Sequence, residues 1–315
     1  MQEKVKTGVI GVGALGQWHA KIYSQLPAAE LIGVYDINTR RAEKIARIYR
    51  AKVYREIEEL ASDIEAVSIA VPADKHFEVA SLLIEHGVHI LVEKPIATRT
   101  CDAEELVVRA QKHGIVLQVG HVERFNPVMP FLEGLLDFPR FIECHRLSPY
   151  PKARPGQQAR GTEISVVLDL MIHDLEVIMH LLHSPVREIA AVGVPVLSSS
   201  EDIANVRLSF DNGCVANITA SRISPKPMRK IRIFQKDIYI SLDYQNQTGE
   251  LYRKSGSKIT RRNVPIEKGE PLFNELSSFV NCVRTHNKPV VSGEEGYAAL
   301  KLAVRICQQL QKHSS

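Results

Sequence analysis

Gly11, Gly13 and Gly16 make a G-x-G-x-x-G motif directly after an apolar, β-branched run from Val5 to Ile10. That order, strand then glycines then a helix-forming stretch, restricts the chain strongly. Gly11 suits the tight turn, Gly13 close approach of a pyrophosphate, and Gly16 close packing of helix on strand. Ala14 and Leu15 lie between them and lead into the helix. The unpaired N–H groups and positive dipole end of such a helix face phosphate. A second apolar strand, Leu31 to Tyr35, ends in Asp36, twenty residues beyond Gly16. An acid at that distance binds the adenosine ribose. Its charge repels a 2′-phosphate, which favours NAD over NADP; Arg40 and Arg41 act in the opposite sense.

The first 120 residues alternate strand and helix. Ala66 to Val71 is a continuous apolar run stopped by Pro72, as expected of a parallel strand covered on both faces. His76 to His86 reads as a helix, His89 to Glu93 as a strand, and Ile115 to Val119 as another. Thr100 or Asp102 is expected to cap the helix that ends at His113. Near Gly120 the pattern changes to longer, less uniformly apolar strands: Phe141 to Leu147, Glu188 to Val194, Asn205 to Phe210, Cys214 to Ser221, Lys230 to Phe234 and Ile238 to Leu242. Asp211-Asn212-Gly213 reads as a hairpin turn. Helices are expected over about Val166 to His183, Leu272 to His286 and Glu294 to Lys312. The expected fold class is α/β. A Rossmann-type doubly wound parallel sheet (1–121) precedes an α+β domain with a mostly antiparallel open sheet (122–315).

A net charge of +4, spread over short clusters, gives no reason to expect nucleic acid or a membrane as partner. No run approaches the ~18 apolar residues of a membrane span. The first residues lack the apolar core of a signal peptide, and the five cysteines are scattered, with no C-x-x-C. Reduced thiols and a cytoplasmic location are the expectation. An open sheet with one uncovered face invites self-association as a homodimer or homotetramer.

Glu93-Lys94-Pro95 sits at the carboxyl end of a predicted parallel strand, where ligands of such sheets bind. There Lys94 can hold or exchange the proton of a substrate hydroxyl, or stand on a solvated strand end. Pro95 rigidifies the turn, with a cis bond one way to do it. Asp169 and His173, four positions apart on one predicted helix, share a face with Glu176 and His180. A histidine beside a carboxylate can take an alcohol proton; a helix salt bridge and a zinc half-site are the other readings. The segment from Gly120 to Pro127 leads out of the first domain. In it, His121 is a candidate for the nicotinamide or sugar and Arg124 for an anionic or carbonyl oxygen. Glu123 and Arg124 can equally pair with each other. Tyr150 to Arg160 reads as a long loop. Its Lys152, Arg154 and Arg160, with Arg222, Lys226, Arg229 and Lys230, are candidates for a substrate diphosphate, or simply solvated.

The chain resembles the glucose–fructose oxidoreductase/inositol dehydrogenase (Gfo/Idh/MocA) family. The marks are the glycine motif, Val-Pro-Ala-Asp-Lys-His76, Glu-Lys-Pro95 and Asp-Leu-Met-Ile-His173. The resemblance covers essentially the whole chain. It implies a nicotinamide-dependent dehydrogenase in which Lys94, Asp169 and His173 line nicotinamide and substrate, with His173 as acid/base. Val71, Pro72, His76, Glu93 and Arg41 then flank the cofactor. Many members carry paired glycines ahead of the aspartate, where this chain has Ser165-Val-Val-Leu168. Gly120 to Pro127 and Val215 to Arg222 look like nucleotide-sugar 3-dehydrogenases, which implies a nucleotide-sugar substrate. A polyol or inositol dehydrogenase is the alternative, and an NAD-binding regulatory protein the non-enzyme one.

Overall fold

Short apolar runs punctuated by glycine and proline become a six-stranded parallel sheet. The computed structural model describes residues 3–152 and 161–312. Its first elements are β1 (Val5–Ile10), α1 (Gly16–Gln25), β2 (Ala29–Tyr35), α2 (Thr39–Tyr49), β3 (Lys52–Val53), α3 (Ile57–Asp63), β4 (Ala66–Ile69), α4 (His76–Glu85), β5 (His89–Glu93), α5 (Thr100–Lys112) and β6 (Leu117–Gly120). The strand order is β3-β2-β1-β4-β5-β6, every pairing parallel. All four residues of β4 and all four of β6 are buried, which favours apolar side chains there; Ser68 and Gln118 are the polar exceptions. The expected cap of α5 is not made: Arg99 occupies the N-cap and no side chain bonds there. The short α3 and β3 carry too few apolar residues to stand out as a pattern.

The second set of elements is α6 (Met129–Glu133), β7 (Phe141–Leu147), α7 (Ile172–Leu182), β8 (Val186–Val194), β9 (Ile203–Phe210), β10 (Val215–Ser221), β11 (Met228–Gln235), β12 (Ile238–Asp243), β13 (Thr248–Ser255), β14 (Lys258–Asn263), α8 (Pro271–Thr285) and α9 (Gly293–Lys312). The eight strands pair in the order β14-β13-β12-β11-β7-β10-β9-β8. All are antiparallel except β7 with β10. Alternation sends Ile142, Cys144, Val206, Leu208, Ala216, Ile218, Ile231, Ile233, Ile240 and Leu242 inward. The outward rows carry a run of rings, Phe141 to Phe234 to Tyr239 to Tyr252, with centroids 5.6, 4.6 and 5.0 Å apart. The hairpin turn at Asp211 to Gly213 is present, closed by the Gly213 N–H on Phe210 O at 2.9 Å.

Two compact units result. One runs from the N-terminus to Phe125 and includes Glu270–Leu300; the other comprises Asn126–Gly269 and the chain from Lys301. The division differs from a single cut after residue 121. The reason is the apolar face of α8: Leu276, Phe279, Val280, Cys282 and Val283 enter one core with Val5, Val9, Ala20, Tyr23, Val34 and Leu91. Each large apolar side chain buried this way is worth about 1.5–3 kcal/mol. Among the described residues no helix is long and apolar enough to cross a membrane.

Candidate active site

In the first unit the glycine motif forms an open cradle. Gly11 has φ +83°, and its N–H donates to Tyr35 O at 2.7 Å. A Cβ on Gly16 would stand 1.8 Å from the Gly11 carbonyl oxygen, so only glycine permits this helix–strand approach. A Cβ on Gly13 would meet nothing nearer than Arg41 Nη1 at 3.6 Å, which leaves room for a phosphate against the backbone. Leu15 caps α1 without a side-chain bond, and the first turn carries no acid. The donors and positive end of the helix therefore suit an anion.

Asp36 closes this cradle at the end of β2. Its Oδ2 accepts the Val12 N–H at 2.9 Å and its Oδ1 the Asn38 N–H at 2.8 Å. Arg41 Nη1 lies 3.3 Å from Oδ2. The residue is 7% exposed, so its orientation is fixed by the backbone. These groups fit a dinucleotide: glycines for the pyrophosphate, a carboxylate for the ribose.

Two loops leave the sheet beside it. The ring of buried His76 has Nδ1 2.8 Å from Pro95 O and Nε2 3.0 Å from Val71 O, so it ties the loop after β4 to the loop after β5. Burial holds this imidazole below its usual pKa. The Lys94–Pro95 bond is cis. Lys94 is half-buried. Next to it, Glu93 Oε1 takes a hydrogen bond from His19 Nε2 at 3.1 Å. Burial pushes Glu93 up, but that bond and the charges of His19, Lys94 and His76 outweigh it and hold the carboxyl below its ordinary range. Gly120 pairs with Glu93 across the sheet, and a Cβ there would meet Glu93 Oε2 at 3.1 Å. His121 is 1% exposed; burial, then the Lys94 charge, push it down to about 3, so it is a neutral imidazole.

The second unit positions Asp169 and His173. Asp169 lies in a π-helical turn, Val167–Met171, that precedes α7. Such a turn fits one extra residue into the helix and is frequent at functional sites. Asp169 and His173 are both half-buried. Gly161, at φ +82°, packs against this carboxylate: a Cβ there would lie 2.5 Å from Asp169 Oδ2. Gly161→Ala is therefore expected to displace Asp169, adding about 1–2 kcal/mol of backbone strain. A fall in kcat larger than the change in melting temperature accounts for would show it.

Behind that turn stands Arg222, 1% exposed. Its Nε donates to Asp202 Oδ1 at 2.8 Å, and Nη1 to the carbonyls of Gly161 and of Ile164, the latter at 2.8 Å. Its Nη2 donates to Ser198 Oγ at 2.8 Å and Ser200 Oγ at 3.0 Å. Arg222 is thus committed inside the protein and does not meet a substrate diphosphate. Lys226 and Arg229 are exposed, and Lys230 Nζ is 3.9 Å from Asp243. Lys152 is exposed; Arg154 and Arg160 fall outside the described residues. Arg124 is 7% exposed, donates to Val290 O at 3.4 Å and lies 4.0 Å from Glu295. Glu295 is thus an acid beside it, and burial removes Arg124 from the surface. Glu176 is buried, and His180 Nε2 bonds Glu133 at 2.9 Å. No group of three or more metal-ligating residues occurs among the described residues.

The sequence reading did not single out His19, Gly161 or Asp202. His19 follows the glycine motif by three positions. On the helix its turn faces the carboxyl end of β5. Gly161 and Asp202 have no spacing signal.

Residues 5–121 match the family described as oxidoreductases with an NAD-binding Rossmann fold, and residues 133–240 match the GFO/IDH/MocA C-terminal domain. The UDP-N-acetylglucosamine 3-dehydrogenase of Acidithiobacillus ferrooxidans is 34% identical over 309 residues, 96% of each chain. A solved structure of that enzyme superposes with a TM-score of 0.92, at 33% identity over 99% of both chains. The scyllo-inositol 2-dehydrogenase (NAD(+)) of Bacillus subtilis is 25% identical, covering 96% of this chain and 93% of its own. With cradle, strand order and full-length likeness in agreement, the chain belongs to the Gfo/Idh/MocA family of oxidoreductases.

Proposed function

We propose that this protein is an NAD-dependent dehydrogenase that oxidises a hydroxyl of a nucleotide sugar to a ketone, namely C3 of UDP-N-acetylglucosamine. The observation that carries this reading is the end-to-end likeness, at 34% identity, to an enzyme named for that reaction. A 3-keto nucleotide sugar is a precursor for transamination, which fits the diamino sugars of lipid A. In this reading His173 accepts the hydroxyl proton as hydride leaves the same carbon, and Asp169 stabilises the imidazolium. Lys94 polarises the oxygen and holds the charge that develops on it. A bound nicotinamide supplies the hydride acceptor. The chain itself would hold that cofactor through Gly11, Gly13, Gly16 and Asp36.

NAD is favoured over NADP because the Asp36 carboxylate, at the end of β2, would repel a 2′-phosphate on the ribose it binds. Arg41 is engaged with that carboxylate at 3.3 Å. Asp36→Ala is expected to raise KM for NAD about tenfold or more, the worth of hydrogen bonds to a charged group. It should raise KM for NADP less, or lower it. Equal losses for both cofactors would reject Asp36 as the selecting group. We also assign self-association to the ring-bearing sheet face, which a mass measurement in solution checks.

The substrate assignment is tested by incubating the protein with NAD and a panel of UDP-sugars and free polyols. The oxidised carbon is then located by NMR. Turnover of UDP-N-acetylglucosamine at C3 is expected. Saturation that ignores the UDP moiety would favour an inositol or other polyol. Absence of substrate-dependent NADH across the panel would favour a regulatory NAD-binding protein.

A further inference from the structure

A group of polar side chains is enclosed inside the first unit. His19 and Tyr23 stand one turn apart on α1, Gln118 on β6 and Glu275 on α8, each fully buried. Glu93, at the end of β5, joins them through His19. Tyr23 exchanges a hydrogen bond with Ser68 at 2.7 Å, and Gln118 Nε2 donates to the Glu275 backbone carbonyl at 3.3 Å. The core thus contains two carboxyl groups, and they are unequal. Glu93 accepts a hydrogen bond from His19 and lies within the field of the Lys94 ammonium. Neither carboxyl oxygen of Glu275 has a hydrogen-bond partner among the described residues. Two further polar atoms of the group, Gln118 Oε1 and His19 Nδ1, are also without one among the described residues.

Two carboxylates in one water-poor cluster do not ionise together; the proton stays on the one that lacks a cation. Burial, and then the charge of Glu93, push the Glu275 carboxyl well above its ordinary range. Tyr23 is pushed up by burial and by Glu275 in turn. The charged groups on the elements packed against α8 are Glu123 and Arg124 on the short 3-10 turn, Lys21 on α1 and the exposed Lys6 on β1, and α8 itself carries Arg284 in its last turn. His121, just before that turn, is neutral.

We propose that Glu275 is a positioning residue for Lys94: it keeps a proton, so that the single negative charge of the cluster rests on Glu93, next to the Lys94 ammonium. Glu93 is then held by His19 on one side and attracts Lys94 on the other. The proposal deepens the assignment of Lys94 as a catalytic group and rests on it.

The test begins with urea unfolding of the full chain from about pH 5 to about pH 8, wild type against Glu275→Gln. A carboxyl with a raised folded pKa contributes its full stability below its unfolded value, about 4.3. That contribution disappears as pH climbs towards the folded value. The wild-type folding constant should therefore fall about tenfold per pH unit relative to the variant. Parallel curves would overturn the proposal. In Glu93→Gln the neighbouring charge is gone, so the fall should level off at lower pH. A profile unmoved by that change would mean the two carboxyls are not coupled, and would also overturn it.

The catalytic readout is the pH profile of kcat/KM. At alkaline pH the wild-type pair gains a second negative charge, which retains the Lys94 proton. The alkaline limb of Glu275→Gln should lie at lower pH than that of wild type. An unmoved limb would reduce Glu275 to a structural residue. Lys94→Ala separates the two readings: undiminished turnover would reject Lys94 as catalytic and leave the unfolding result standing.

Discussion

Replacing His173 by alanine is expected to lower kcat by about 10²–10⁴-fold, the usual worth of a positioned general base. The dissociation constant for NAD should stay near that of wild type. Every group fitted to the dinucleotide, from Gly11 to Asp36, lies in the first unit, whereas His173 sits in the second. Removing its imidazole deletes a proton acceptor without touching the cradle. Steady-state NADH formation gives the first quantity. The second can be read from the single tryptophan, Trp18, which lies on α1 just behind the glycine motif and is 48% exposed. Unchanged turnover would exclude His173 as the base. A parallel loss of NAD binding would point to a collapsed fold.

The second large effect concerns stability. Arg222→Met is expected to cost about 3–5 kcal/mol, because it leaves a buried carboxylate without its cation. Asp202 is completely buried and accepts, besides Arg222, the N–H groups of Val196, Leu197 and Ser198 at 2.8, 2.6 and 2.9 Å. Burial opposes its ionisation, but Arg222 and those three donors prevail and hold the carboxyl well below its usual range. A depressed carboxyl contributes stability above its unfolded pKa, about 3.9, that is lost as pH falls below it. Wild type should therefore lose stability steeply in acid, and Arg222→Met should show a shallower dependence there. Equal acid sensitivity would reject the pair as its source. The variant should also slow turnover, since Arg222 holds the carbonyls of Gly161 and Ile164 that lead into the Asp169 turn.

Much of the first unit was legible because parallel strands buried on both faces are dominated by apolar residues, and glycines mark where backbone meets backbone. Ala66 to Ile69 is an example. The last two strands were not legible. All six residues of β14, Lys258 to Asn263, are exposed, so no alternation of apolar and polar residues betrays a strand. Its Lys258, Arg261 and Arg262 suit a sheet edge that must not pair with a neighbour. Arg222 shows the opposite failure. An arginine in a run of basic residues resembles a solvated or phosphate-binding group, yet its five N–H bonds all point inward. Only the fold, which brings Gly161, Ser198 and Asp202 to it, distinguishes the two. Asp36 and Glu93 were found from their places at strand ends, whereas their partners Val12 N–H and His19 come from other segments of the chain.

The return of α8 to the first unit sets an order of events during synthesis. A nascent chain that has emerged as far as Phe125 already has all six parallel strands. It lacks the face that covers Val5, Tyr23 and Val34, because Leu276, Phe279 and Val283 are not yet made. Until the ribosome has passed α8, about half the polypeptide later, the first unit carries a bare apolar flank exposed to chaperones and to other chains. Dividing the gene after residue 125 to obtain the cofactor-binding half alone should therefore give a protein that aggregates, unless the segment Glu270–Leu300 is supplied with it.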